Sequence, residues 1–134
     1  MKDYIITEFN KIGCTISDRQ AEQFLRYFEL LTEWNAVMNL TAITEFNEVV
    51  EKHFVDSALL SGYIRERNPK SLIDIGTGAG FPGVPLKILF PELKVTLLDS
   101  LNKRIRFLNT VIGELELQGI EAIHGRAEEY GIKE

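Results

Sequence analysis

The sequence predicts an α/β protein: a parallel β sheet with crossover helices, preceded by a helical N-terminal segment. Three observations carry this. From Ser71 onward, short β-branched runs alternate with amphipathic stretches in the order strand, helix, strand, helix, strand, a rhythm that right-handed crossovers turn into a parallel, doubly wound sheet. Directly after the first run, the stretch DIGTGAGFPG (Asp74 to Gly83) holds Gly76, Gly78, Gly80 and Gly83 out of the 10 glycines in the chain. Ahead of both, Phe24, Tyr27, Phe28, Leu31, Trp34 and Met38 recur at helical spacings of three and four.

Taken in order, the N-terminal MKDYIITEFNKIG carries acids where a secretory signal would be uninterruptedly apolar, and no run nears the ~18 apolar residues needed to span a bilayer. A cytoplasmic location without a membrane partner is the expectation. The first predicted helix covers Asp18 to about Met38, with Ser17 as N-cap. Its aromatic stripe reads as core packing, because helical spacing alone accounts for it. The extended or turning NLTAIT and a polar turn near Thr44 lead to a second helical stretch, about Phe46 to Tyr63, and then to a linker, RERNPK. The grammar changes at SLIDI, the first strand. PGVPLKILF follows the glycine loop as a helix with proline near its first turn. KVTLLD is a strand ending in Asp99, LNKRIRFLNTVIGELEL a helix, and IEAIHG a third strand before RAEEYGIKE.

At 134 residues the chain is one domain's worth, and 45% apolar with 26% charged residues is ordinary for a globular protein, which excludes a disordered or fibrous class. One cysteine, Cys14, excludes an internal disulfide and reads as a small buried apolar residue; with only His53 and His124 beside it, no metal cluster is expected. The net charge of −5 argues against a uniformly basic nucleic-acid surface, yet NKRIRF places Lys103, Arg104 and Arg106 within four positions, a local patch that suits phosphate.

A glycine turn between the first strand and first helix of such a sheet is where nucleotide-like ligands sit. Gly78, Gly80 and Gly83 match G-x-G-x-x-G and Asp99 stands at the distance of a ribose-binding acid, which suggests a dinucleotide. The register disagrees: the strand-closing glycine is Gly76, and counting from it the third glycine position is Phe81. Asp74 also disagrees, since a carboxylate inside the strand repels pyrophosphate but attracts an ammonium or sulfonium. S-adenosylmethionine has both cations, and a ribose diol that suits the acceptors of Asp99. Gly76, Gly78 and Gly80 would let the backbone approach it and take torsions a β-carbon forbids. A plainer reading makes Asp74 a turn cap and Asp99 the cap of the helix near Leu101.

The chain resembles the bacterial 16S ribosomal RNA guanine-N7 methyltransferases, also called glucose-inhibited division protein B. The resemblance lies in EWNAVMNLTAI (Glu33 to Ile43), KHFVDS (Lys52 to Ser57), DIGTGAGFPGVPLKI (Asp74 to Ile88), TLLDSLNKRIRFL (Thr96 to Leu108) and RAEE (Arg126 to Glu129). It implies a Rossmann-like class I S-adenosylmethionine-dependent fold, with residues 1–70 a helical segment packed on the sheet and residues 71–134 the first half of the methyltransferase domain. It also implies cofactor contacts at Gly76, Phe81, Ala127 and Glu128, with a packing residue at the helix start as the lesser reading of Phe81. The implied substrate is a guanine of 16S ribosomal RNA or the small ribosomal subunit. Ring nitrogen N7 has a free lone pair and no proton to remove, so no general base is expected, and alignment carries the reaction. Lys103, Arg104 and Arg126 are candidates for RNA phosphates or the guanine edge, the first two also reading as a solvated helix face. His53 and Asp56, one helical turn apart, read as a structural hydrogen bond or as an RNA contact.

Family members continue past the point where this sequence stops. The expectation is therefore an incomplete sheet, weak activity for the chain by itself, and SLIDI as an apolar edge open to self-association. A non-catalytic RNA-binding or assembly module and a dinucleotide-dependent oxidoreductase remain the alternatives.

Overall fold

The structure, a computed structural model, describes residues 1–130. Two helices open it, α1 (Lys2–Lys11) and α2 (Asp18–Met38). Ser17 Oγ accepts the Gln20 backbone N–H at 3.1 Å while Gln20 Oε1 accepts the Ser17 N–H at 2.8 Å. Such a reciprocal cap contributes about 1 kcal/mol and fixes where α2 starts. At the other end Asn39 turns left-handed (φ 54°) and stops it. The sequence reading has no counterpart for α1, which buries Ile5 and Phe9 and sets the Phe9 ring 4.8 Å from Phe24 of α2.

The single helix expected from Phe46 to Tyr63 is corrected: α3 (Phe46–Val49) widens into a π-helical stretch (Val50–Val55), continues as α4 (Asp56–Ala58), turns at residues 59–60 and resumes as α5 (Ser61–Arg67). The wide turns bring Val49, Val50 and Phe54 to one buried face, where Phe54 meets Phe24 at 5.0 Å and Tyr27 at 5.3 Å. The linker is also shorter than expected. Arg65 to Arg67 complete α5, and Asn68 ends it with φ 45°.

Strands β1 (Ser71–Ile75), β2 (Lys94–Asp99) and β3 (Ile120–His124) form a parallel sheet in the order β1-β2-β3, with Asp74 beside Leu97 and Asp99 beside His124. Helix α6 (Gly83–Leu89) crosses from β1 to β2 and α7 (Asn102–Glu114) from β2 to β3. Because the order advances in one direction, right-handed crossovers put both helices on the same face, and α2 packs across them as a further layer. The double winding expected from sequence is thus realised on one side among the described residues. On the other side Ile73 and Ile75 are 53% and 50% exposed, and β1 is an edge. No described helix is long and apolar enough to cross a membrane.

Candidate cofactor site

The carboxyl ends of the strands, where parallel sheets bind ligands, are organised by one carboxylate. Asp99 ends β2 and is 3% exposed. Its Oδ2 accepts the Gly78 N–H at 2.9 Å and faces the Arg104 guanidinium at 3.4 Å, while Oδ1 accepts the Leu101 N–H at 2.9 Å. It therefore ties the glycine loop to the start of α7. The helix-cap reading and the site reading of Asp99 describe one side chain with two oxygens. Gly76 and Thr77 donate their N–H groups to Leu98 O at 2.8 and 3.1 Å, folding the loop over the end of β2. Gly76 (φ 67°) and Gly78 (φ 61°) need the left-handed region, and a β-carbon at either would meet nothing within 4 Å. The cleft in front of them, about 230 Å³, is bounded by Gly76, Asp99, Arg126, Ala127 and Glu128. That is below the ~300–1,000 Å³ that encloses a small-molecule ligand, so these residues form one wall of a site.

The rear of the loop is built differently. Asp74, 8% exposed, accepts on Oδ2 from Thr77 Oγ1 at 2.6 Å and from the Gly83 N–H at 2.9 Å. Burial pushes its carboxyl pKa up, the two hydrogen bonds oppose this, and the charge of Asp99 adds to the rise. A β-carbon on Gly83 would stand 2.4 Å from Leu97 Cδ2 and 2.9 Å from Asp74 Oδ2. One on Gly80 (φ 102°) would stand 2.6 Å from Tyr27 Oη and 2.8 Å from Val84 Cγ2. The Phe81 ring stacks on Tyr27 at 5.4 Å and on His53 at 4.3 Å with an interplanar angle of 9°.

Of the residues singled out in the sequence, Gly76, Asp99, Arg126, Ala127 and Glu128 therefore share one cleft, with Gly78 bonded to it through Asp99. The side chain of Phe81, and the side of Gly80 that lacks a side chain, face the protein instead, and Asp74 turns its Oδ2 to Thr77 and the Gly83 N–H. Arg104 spends its charge on Asp99, whereas Lys103 and Arg126 are exposed and make no ion pair among the described residues. His53 Nε2 shares a hydrogen bond with Thr41 Oγ1 at 2.9 Å, and Asp56 acts on it through charge, raising a pKa that burial lowers. Cys14 is buried. Sequence reasoning passed over Tyr27 and Thr77. The signal for Tyr27 was a hydroxyl in a stripe of otherwise apolar rings. Wider concavities of about 580 and 460 Å³, one beside Arg65 and Phe90 and one beneath the start of α2, do not reach the carboxyl ends of the strands. Among the described residues no group of 3 or more His, Cys, Asp or Glu could hold a metal ion.

Comparison with known proteins bears on this geometry. The fold matches that of a protein-L-isoaspartate O-methyltransferase with a TM-score of 0.59 at 14% identity, over 95% of this chain and 43% of that one. It also matches a Staphylococcus aureus protein described as a caffeoyl-CoA O-methyltransferase, at a TM-score of 0.55 and 19% identity, over 76% of this chain and 45% of that one. At such identities the likeness shows fold alone, one that the chain shares with these two proteins. In sequence, the chain is 55% identical over 128 residues to ribosomal RNA small subunit methyltransferase G of Lachnoclostridium phytofermentans, covering 96% of this chain and 53% of the relative. It is 54% identical over 131 residues to the protein of the same name from Lactococcus lactis subsp. lactis, covering 96% and 55%. The chain spans about half the length of these curated relatives. The family model for rRNA small subunit methyltransferase G matches residues 20–134, and with that match the chain belongs to this family.

Proposed function

We propose that this chain supplies the cofactor-binding wall of an S-adenosylmethionine-dependent enzyme that methylates N7 of a guanine in 16S ribosomal RNA. In this reading residues 71–134 are the first half of the methyltransferase domain and residues 1–70 the helical segment packed on it. The observation that carries it is the cleft at the strand ends: left-handed Gly76 and Gly78 with open space before them, beside a buried carboxylate at the end of β2. The charges fit the cofactor. Two carboxylates, Asp99 and Glu128, line the cleft against one guanidinium, Arg126, so a cationic ligand with hydroxyl donors suits it better than a pyrophosphate.

In that role Asp99 accepts from the ribose hydroxyls, Gly76 and Gly78 present bare backbone to the amino-acid end, and Ala127 with Glu128 borders the adenine. Asp74 acts from behind, bracing Thr77 and the first turn of α6, and it adds negative potential beneath a positively charged ligand. Phe81 contributes through its backbone, its ring being held between Tyr27 and His53. The cofactor supplies a methyl carbon on a sulfonium sulfur. Guanine N7 attacks with a lone pair and no proton need be removed, so the protein's task is placement. Arg126, which lines the cleft, and Lys103, in the first turn of α7, are exposed cations available to RNA phosphates. The uncovered β1 edge, with Ile73 and Ile75 beside it, is where copies of this chain would pair with one another.

Calorimetric titration of the chain with S-adenosylmethionine tests the reading. Asp99→Asn keeps an acceptor for the Gly78 N–H but removes the charge, and binding is expected to weaken about tenfold or more while the chain stays folded. Binding of a nicotinamide dinucleotide in place of S-adenosylmethionine would overturn it.

A further inference from the structure

We infer that Tyr27, on the N-terminal helix α2, is a positioning residue for the cofactor loop: its hydroxyl holds residues 79–81 from behind in the conformation that presents Gly76 and Gly78 to ligand. This rests on the cofactor assignment of the cleft and goes beyond it, since Tyr27 touches no part of that cleft.

The hydroxyl is the starting point. Tyr27 is fully buried, on a stripe whose other members are chosen for packing. Burying a hydroxyl without a partner is costly, and a phenylalanine ring would fill the same space without that cost. The hydroxyl has a partner on the loop, donating to Ala79 O at 2.5 Å. That carbonyl accepts from no backbone N–H among the described residues, so Tyr27 satisfies a group the loop itself leaves open. Burial raises the phenol pKa well above its ordinary value, and the charge of Asp74 adds to this, which keeps the proton on the donor.

The fit is reciprocal. Gly80 lacks the side chain whose β-carbon would lie 2.6 Å from the same hydroxyl oxygen, and it takes a φ of 102° that few other residues adopt. Phe81 then stacks on the Tyr27 ring, and His53, held by Thr41 Oγ1, closes on its other face. Three consecutive loop residues are thus gripped in three ways, by a carbonyl bond, a steric fit and a ring stack. The bond and the stacks come from the segment before the sheet, while the steric fit is shared with Val84 of α6 and Leu108 of α7. The grip is anchored in turn: Phe54 meets Tyr27 at 5.3 Å, Phe24 meets Phe54 at 5.0 Å and Phe9 meets Phe24 at 4.8 Å, an aromatic series running back to α1. On the open side the loop has Asp99, which can hold Gly78 only if residues 79–81 keep their place.

Tyr27→Phe keeps the ring and its stacks and removes only the hydroxyl. Three measurements on the parent and variant decide the matter: S-adenosylmethionine affinity by calorimetry, amide hydrogen exchange across residues 76–83, and the thermal midpoint. The expected result is about tenfold weaker binding and about tenfold faster exchange confined to the loop, with protection in α1 and α7 and the midpoint little changed. Unchanged affinity in a variant whose parent binds, or unchanged loop exchange, would overturn the inference. So would a uniform loss of protection across the molecule, which would make Tyr27 a general packing residue. If the parent itself fails to bind, the cofactor assignment fails while the exchange comparison still decides the role of Tyr27.

Discussion

The two halves of the glycine loop use the same residue for opposite reasons. At Gly76 and Gly78 the backbone is left-handed and the space a side chain would fill is open. At Gly80 and Gly83 that space is taken by Tyr27, Val84, Leu97 and Asp74. In the proposed reading the front pair serves a ligand and the rear pair serves the fold, so a glycine pattern counted along the sequence mixes two selections.

Substitutions should split along the same line. Gly80→Ala combines a disfavoured torsion with contacts below 3 Å and is expected to cost about 3 kcal/mol or more of stability. Gly83→Ala, in a helical conformation, meets Leu97 and Asp74 and should cost about 1–3 kcal/mol, both costs being read from denaturant unfolding. Gly76→Ala adds no clash, only a left-handed torsion of about 1–2 kcal/mol. It should nevertheless weaken S-adenosylmethionine by more than tenfold, because its β-carbon projects into the open space. A rear variant that lost affinity without losing stability, or a front variant that did the reverse, would break the division.

The smallest expected effect concerns His53, behind Phe81. Burial lowers its pKa from 6.5 and the charge of Asp56 only partly offsets this. The neutral ring is the form that fits, and the unfolded chain takes up a proton first as pH falls through 6.5. Stability should decline on acidification from pH 7.5 to 5.5, and His53→Gln should flatten the part of that decline that His53 carries, as followed by thermal melts.

Much of this was legible in the sequence because it is local. Helix α2 is marked at its start by Ser17 and Gln20 and along its length by spacing, and the strands by β-branched runs between turns. Gly76 and Asp99 stand out from the residues themselves, and Ala127 and Glu128 through the family resemblance. What escaped reading depends on partners distant in sequence. Helix α1 has no side-chain cap to announce it and is held by Phe9 against Phe24. The π-helical turns set Val49 and Phe54, five residues apart, on one buried face with Val50, a spacing that a 3.6-residue period does not show. Asp74 reads as a ligand-binding acid, and that its Oδ2 accepts the Gly83 N–H, nine residues on, is visible only in the structure. Tyr27 reads as one ring of a stripe until the Ala79 carbonyl, 52 positions away, is found on its hydroxyl.

The measurement that tests the central claim most directly is an amide chemical-shift map of the labelled chain during titration with S-adenosylmethionine. The largest shifts are expected at Gly76, Gly78, Asp99 and residues 125–128, with smaller ones at Gly80 and none around Arg65 or the start of α2. Shifts centred on either of those distant concavities, or no shifts at the strand ends at saturating ligand, would contradict it.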